Sequence, residues 1–171
     1  KRSHEELQSL ISIIGETVEA LSSTGRWKIH PVGSLELLPE ELRARLKAAA
    51  SKTAEIPGIT VNVAIGYGGR LEIVDAVKSY MHEAKAAGKD LAAAADQLTA
   101  HSIDQNLYTA GQPDPELVIR TSGEQRLGGF LLWQSAHSEF YFCEAYWPDF
   151  RRVDFLRAIR AYSQRNRRFG K

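Results

Sequence analysis

Residues 117 to 142, LVIRTSGEQRLGGFLLWQSAHSEFYF, set Arg120 and Arg126 on either side of Thr-Ser-Gly-Glu-Gln, between two apolar runs. Guanidinium groups present planar forks that match phosphate oxygens two at a time. Glycines such as Gly123, Gly128 and Gly129 let backbone N–H groups approach an anion closely. The chemistry these types could do is polyanion binding. The same residues also make sense as a surface ion-pair network, with Glu124 between the two arginines. Spacing alone leaves both open, with the phosphate loop slightly ahead. No Gly-Lys-Ser/Thr loop and no G-x-G-x-x-G follows a strand, so nucleotide motifs lend no support. GYGGR at 66 to 70 places glycines after a predicted strand, but three glycines near a turn specify little.

Positioning such a loop requires a scaffold, and the pattern of the chain predicts one. Leu7, Leu10, Ile11, Ile14, Val18 and Leu21 recur at helical spacing over residues 4 to 23, with Gly25 as the stop. WKIHPVG (27 to 33) reads as a short strand and turn, and Pro39 fits the first turn of a helix running to about Lys52. GITVNVAIG (58 to 66) is β-branched and nearly continuously apolar, which predicts a strand covered on both faces. Ile73, Val74, Val77, Tyr80 and Met81 mark a further helix, and residues 89 to 103 a surface helix pair. TAGQPDPE (109 to 116) is a loop because of its prolines. LVIRT and FYFCE are strands, and residues 151 to 165 form a basic closing helix. The alternation predicts an α/β fold with a mostly parallel central sheet flanked by helices, and one domain over residues 1–171. In such sheets ligands bind beyond the carboxyl ends of strands, which is where Arg120 falls.

Composition bounds the partners. The chain has 171 residues, and 22 basic against 21 acidic residues leave a formal charge of +1. That length can bury ~70% of its unfolded surface in one core, and the charge gives no general attraction to nucleic acid. The one cysteine, Cys143, lies in an apolar run, reads as a small core hydrophobe and favours a reducing compartment. No run approaches ~18 apolar residues, so membrane contact is expected to be peripheral at most, and the location cytoplasmic. His4, His30, His82 and His101 show no ligand spacing, and His137 reads as packing or interface.

RTSGEQRLGGFLLWQSAHSEFYF, followed by WPDF at 147 to 150, strongly resembles the cis-prenyltransferase, or undecaprenyl diphosphate synthase, family. VNVAIGYGGRLEIVDAV (61 to 77) resembles a second block of that family, and RNRRFG (165 to 170) its C-terminal Arg-x-Gly end. NLYTAGQPDPELVIRTSGEQRL is most similar to actinobacterial members, including short-chain Z-farnesyl diphosphate synthases. The blocks lie in order across nearly the whole chain.

The resemblance implies condensation of isopentenyl diphosphate with an allylic diphosphate to a cis prenyl diphosphate, using Mg²⁺, releasing pyrophosphate and working as a homodimer. It implies that Arg120 and Arg126 hold the isopentenyl diphosphate headgroup, with Leu127 and Gly128 continuing the loop. Glu139 matches the glutamate that helps place the metal, and Arg168 with Gly170 the motif that reaches a diphosphate across the dimer. Arg2, in KRSHEEL, matches a further headgroup ligand. These types suit the chemistry, since fixed guanidinium groups and Mg²⁺ stabilise charge on departing pyrophosphate.

Two departures limit the carry-over. Gly128 stands where the family commonly has Ser. The family's Asp-Gly-Asn-x-Arg-Trp-Ala motif, whose Asp anchors Mg²⁺ and the allylic diphosphate, occurs nowhere in the sequence. The expectation is therefore the C-terminal two-thirds of such an enzyme, its catalytic Asp in a preceding segment and this fragment inactive by itself. A non-catalytic accessory subunit of a two-component cis-prenyltransferase is the alternative. Accessory members generally lose the Arg-Thr-Ser-Gly-Glu-x-Arg loop, which is intact here, so the enzyme is preferred. An unrelated phosphate-binding α/β hydrolase would explain neither FLLWQ nor WPDF.

Overall fold

Helix α1 (His4–Ser23) turns two apolar stripes outward from one axis. Ile11, Ile14, Val18 and Leu21 pack inward, whereas Leu7, Leu10 and Ile13 are exposed. The structure, a computed structural model, describes residues 4–164, which divide after Thr109 into two compact units.

The first unit is built on two parallel strands, β1 (Lys28–Val32) and β2 (Thr60–Ala64), in register from Lys28 opposite Thr60 to Val32 opposite Ala64. Helix α2 (Glu40–Thr53) connects them, and its Leu42, Leu46 and Ala49 meet Val18 and Ile29 in the core. Burying each such large side chain contributes ~1.5–3 kcal/mol. Val61 and Val63 pack against that core, while Asn62 and Ala64 are exposed. β2 therefore follows the period-two alternation of a half-covered strand rather than the doubly buried pattern expected from its apolarity.

Two polar devices fasten α2. Thr53, fully buried, accepts the Ile29 N–H at 2.9 Å and donates to the Ala49 carbonyl at 2.8 Å, so one hydroxyl satisfies the edge of β1 and the end of the helix. Arg45 forks onto Glu19 of α1 at 2.6 and 2.8 Å. Its guanidinium crosses α1 directly over Gly15, where a Cβ would sit 2.3 Å from Arg45 Cζ. The hydrogen bonds from Arg45 hold the Glu19 carboxyl below its ordinary range.

Helix α3 (Gly69–Ala86) follows β2 and is packed by two short helices, α4 (Leu91–Asp96) and α5 (Ala100–Asp104), the expected surface pair. Asp90 and Thr99 cap them with side-chain oxygens, the preferred N-terminal arrangement. At the start of α3, Glu72 is 1% exposed. Its carboxylate accepts from the Tyr67 hydroxyl and from the Tyr108 N–H at 3.0 Å. The Tyr108 carbonyl lies 2.9 Å from His30 Nε2, which must donate because a carbonyl only accepts. Glu72 and His30 thus tie Tyr108 to the start of α3 and the middle of β1.

The second unit carries a parallel pair, β3 (Leu117–Arg120) and β4 (Glu139–Phe142), with Arg120 opposite Phe142 and Leu117 opposite Glu139. Helix α6 (Arg152–Ser163) packs on β4, with Ala158 fully buried. Asp154 caps α6. It accepts the Arg151 N–H at 3.1 Å and pairs with the Arg151 and Arg157 guanidinium groups, and these bonds hold its carboxyl below the usual range. The α/β class and the parallel pairing are as expected. The pairing is distributed over two two-stranded sheets, one per unit.

Candidate anion site

Arg120 ends β3, and the parallel ladder continues past it. The Cys143 N–H donates to the Arg120 carbonyl at 2.8 Å, the Ser122 N–H to Ala145 at 2.8 Å, and the Gly123 N–H to Cys143 at 3.0 Å. The loop leaving β3 is thereby fastened to the segment leaving β4. Ser122 is held at φ +71°, uncommon for a residue with a side chain.

Beyond the strand ends lies a concavity of about 330 Å³. Arg120, Thr121, Ser122 and Glu124 supply its polar lining, and Leu127, Phe130 and Phe140 are among its apolar walls. The volume is at the small end of the ~300–1,000 Å³ of ligand pockets. Such a shape suits a small molecule with one anionic and one apolar end.

Arg120 is poorly satisfied by its surroundings. Its Nε is buried and has no hydrogen-bond partner among the described residues. Nη1 donates to the Leu127 carbonyl at 3.4 Å, and Nη2 stands 3.9 Å from Glu124 Oε2. The same oxygen of Glu124 lies 3.0 Å from Arg126 Nε. Arg126 is 73% exposed and stands outside the lining, joined to Arg120 through Glu124. The loop therefore holds two arginines converged on one carboxylate oxygen. A buried guanidinium N–H without an acceptor is costly, and an anion reaching Arg120 would relieve it.

Gly128 explains its own departure from the expected Ser. It has φ +65°, and a Cβ there would stand 2.5 Å from Arg120 Nη1. The Arg120 guanidinium occupies the space that a side chain would need.

Of the residues singled out in the sequence, Arg120 and Leu127 line one cavity, Arg126 and Gly128 adjoin it, and Glu139 does not. Glu139 opens β4 opposite Leu117, three residues from the Arg120 level, or roughly 10 Å along the strands. Arg2, Arg168 and Gly170 lie outside the described residues. His137 is exposed rather than packed within its unit, and Cys143 is half-buried rather than in the core. Sequence reasoning gave no role to Glu72, and none at the arginine loop to Phe130 and Phe140. An acid three residues into a helix looks solvated, and nothing in a linear pattern marks Tyr67 and Tyr108 as its partners.

This geometry coincides with a family. Residues 1–170 match the sequence model of the family described as "Putative undecaprenyl diphosphate synthase". The chain belongs to the undecaprenyl diphosphate synthase family of prenyltransferases. It is 54% identical to isoprenyl transferase 1 of Streptomyces avermitilis over 99% of this chain and 66% of that protein. To the (2Z,6E)-farnesyl diphosphate synthase of Thermobifida fusca it is 57% identical, again over 99% and 66%. The crystal structure of lavandulyl diphosphate synthase from Lavandula x intermedia in complex with dimethylallyl diphosphate is 30% identical with a TM-score of 0.89, covering 100% of this chain and 74% of that one. The chain spans about two thirds of the length of the curated relatives it matches, 64–67% for the first three.

Proposed function

We propose that the protein is a cis-prenyltransferase that condenses isopentenyl diphosphate with an allylic diphosphate and releases pyrophosphate. The observation that carries this reading is the Arg120 guanidinium at the carboxyl end of β3, its Nε unpaired among the described residues, in a cavity with both polar and apolar lining and with Arg126 joined to it through Glu124. Arg120 and Arg126 hold the isopentenyl diphosphate headgroup by charge-assisted hydrogen bonds. The Leu127 and Gly128 backbone borders that headgroup, and Phe130 and Phe140 shield the five-carbon chain from water. Fixed positive charge at the diphosphate costs no reorganisation when the reaction occurs, which is what makes preorganised groups effective. Arg2, Arg168 and Gly170 are proposed as further diphosphate contacts on the resemblance alone.

Mg²⁺ is the proposed cofactor, with Glu139 as its carboxylate. Mg²⁺ keeps several waters and takes only one or two carboxylates beside substrate phosphates, so it needs no protein cage. Glu139 is partly exposed, which leaves its carboxylate within reach of a hydrated ion. When bound, the ion neutralises charge on diphosphate oxygens.

Residues 1–171 are proposed to form one such domain, whose two units both fall within the matched family region. A homodimer is proposed because Phe142, Tyr146 and Trp147, with Val153, Phe155, Leu156 and Ile159 of α6, leave an apolar surface exposed on the second unit. No helix among the described residues is long and apolar enough to cross a membrane, and the proposed location is the cytoplasm. The intact Arg120-to-Arg126 loop gives no support to the accessory-subunit alternative.

The test is incorporation of labelled isopentenyl diphosphate by the full-length protein with Mg²⁺ and dimethylallyl, geranyl or farnesyl diphosphate as separate primers. A Z-configured product is expected, its length read directly. Arg126→Ala should raise the KM for isopentenyl diphosphate ~10- to 100-fold, the equivalent of ~1.5–3 kcal/mol for a lost charged hydrogen bond. Folded protein that incorporates nothing with any primer overturns the transferase. An unchanged KM in the variant removes Arg126 from the headgroup site.

A further inference from the structure

We infer that Glu124 is an exchangeable internal counter-ion of the arginine loop, which holds Arg120 and Arg126 together when the site is empty and retakes them as the diphosphate leaves. The inference rests on the reading of these arginines as the diphosphate cradle. One oxygen, Glu124 Oε2, stands 3.0 Å from Arg126 Nε and 3.9 Å from Arg120 Nη2. That oxygen is within hydrogen-bond distance of Arg126 and within ion-pair distance of Arg120, so one anionic oxygen serves both guanidinium groups. Neither contact uses Arg120 Nε, which stays buried and unpaired among the described residues. Glu124 therefore occupies the cradle without completing it. Arg120 retains one donor, Nε, that Glu124 does not satisfy.

The pair is also weak enough to exchange. Glu124 and Arg126 side chains are 43% and 73% exposed, and exposed ion pairs add little in water. A diphosphate brings more charge and more acceptor oxygens than one carboxylate, so it displaces Glu124 from both guanidinium groups. When pyrophosphate departs, the tethered carboxylate is already within reach at high effective concentration. Without Glu124, the bound anion faces no intramolecular competitor, and its affinity rises.

The experiment is a double-mutant cycle on the full-length protein, with inorganic pyrophosphate as the probe in calorimetry and stopped-flow displacement. Glu124→Gln keeps the shape and removes the charge, and a thermal melt verifies that each variant is folded. Glu124→Gln is expected to bind pyrophosphate about fivefold more tightly, mainly through slower dissociation. In an Arg126→Ala background the same substitution should give less than half that gain. A Glu124→Gln affinity equal to or weaker than that of the unaltered protein overturns the inference, because Glu124 would then only orient the arginines. A gain that survives intact in the Arg126→Ala background also overturns it, as simple repulsion of anions. Arg126→Ala binding pyrophosphate as well as the unaltered protein does would remove the cradle itself, and the inference with it. The first two failures leave the cradle standing, so the two ideas can fail separately.

Discussion

At the scale of single residues, the informative pair is Gly128 and Gly129. Both have positive φ, +65° and +82°, but a Cβ at 128 would press on Arg120 Nη1 at 2.5 Å, whereas one at 129 meets nothing within 4 Å. Alanine at either position should cost ~1–2 kcal/mol of backbone strain. Only Gly128→Ala should also displace Arg120. Melting temperatures of the two variants are expected to fall together, while pyrophosphate affinity drops several-fold for Gly128→Ala and stays level for Gly129→Ala. Equal affinities would mean that Arg120 yields to the methyl group without consequence for the anion. The same comparison explains why a Ser at 128 cannot simply be restored with Arg120 where it stands.

At the scale of elements, Thr53 joins a helix end to a strand edge through one hydroxyl. Thr53→Val is nearly the same size but leaves the Ile29 N–H buried without its acceptor, which should cost ~1–3 kcal/mol. Chemical denaturation of the variant checks it, with a loss under half a kilocalorie speaking against the hydroxyl as a joint. Elements of this kind were largely legible in the sequence. Helical spacing marked α1 and α3, Pro39 the start of α2, and a β-branched run β2, because spacing and residue type report burial of a segment's own face. Partnership was not legible. The register that opposes Leu117 to Glu139 separates Glu139 from Arg120 along the ladder, and register depends on pairing that no single segment encodes. The arginine loop was recognisable from its residue types. Its convergence on Glu124 is one of two readings that spacing leaves open, and in the fold one oxygen lies near both guanidinium groups.

At the scale of the whole molecule, pH acts on residues 1–109 through Tyr108. Burial above all, then the hydrogen bond to Asp75 at 2.6 Å, pushes the Tyr108 phenol up from 10.0 to about 12. The folded chain therefore keeps a proton that the unfolded chain releases near pH 10. The stabilisation is whole below pH 10 and is lost progressively as pH rises to about 12. Urea unfolding followed between pH 9 and pH 12 should show a midpoint that falls across this window, and more shallowly in Tyr108→Phe. An identical slope in both proteins would assign the alkaline loss to other groups.

The backbone of Cys143 is bonded on one side to Arg120 and on the other to Gly123. It is the only cysteine in the sequence, and it is partly accessible. Cys143, one residue past β4, thus offers an attachment point for a spectroscopic label beside the arginine loop, with which its backbone shares hydrogen bonds. A fluorophore or spin label there would report loop motion during turnover without substitution of either arginine.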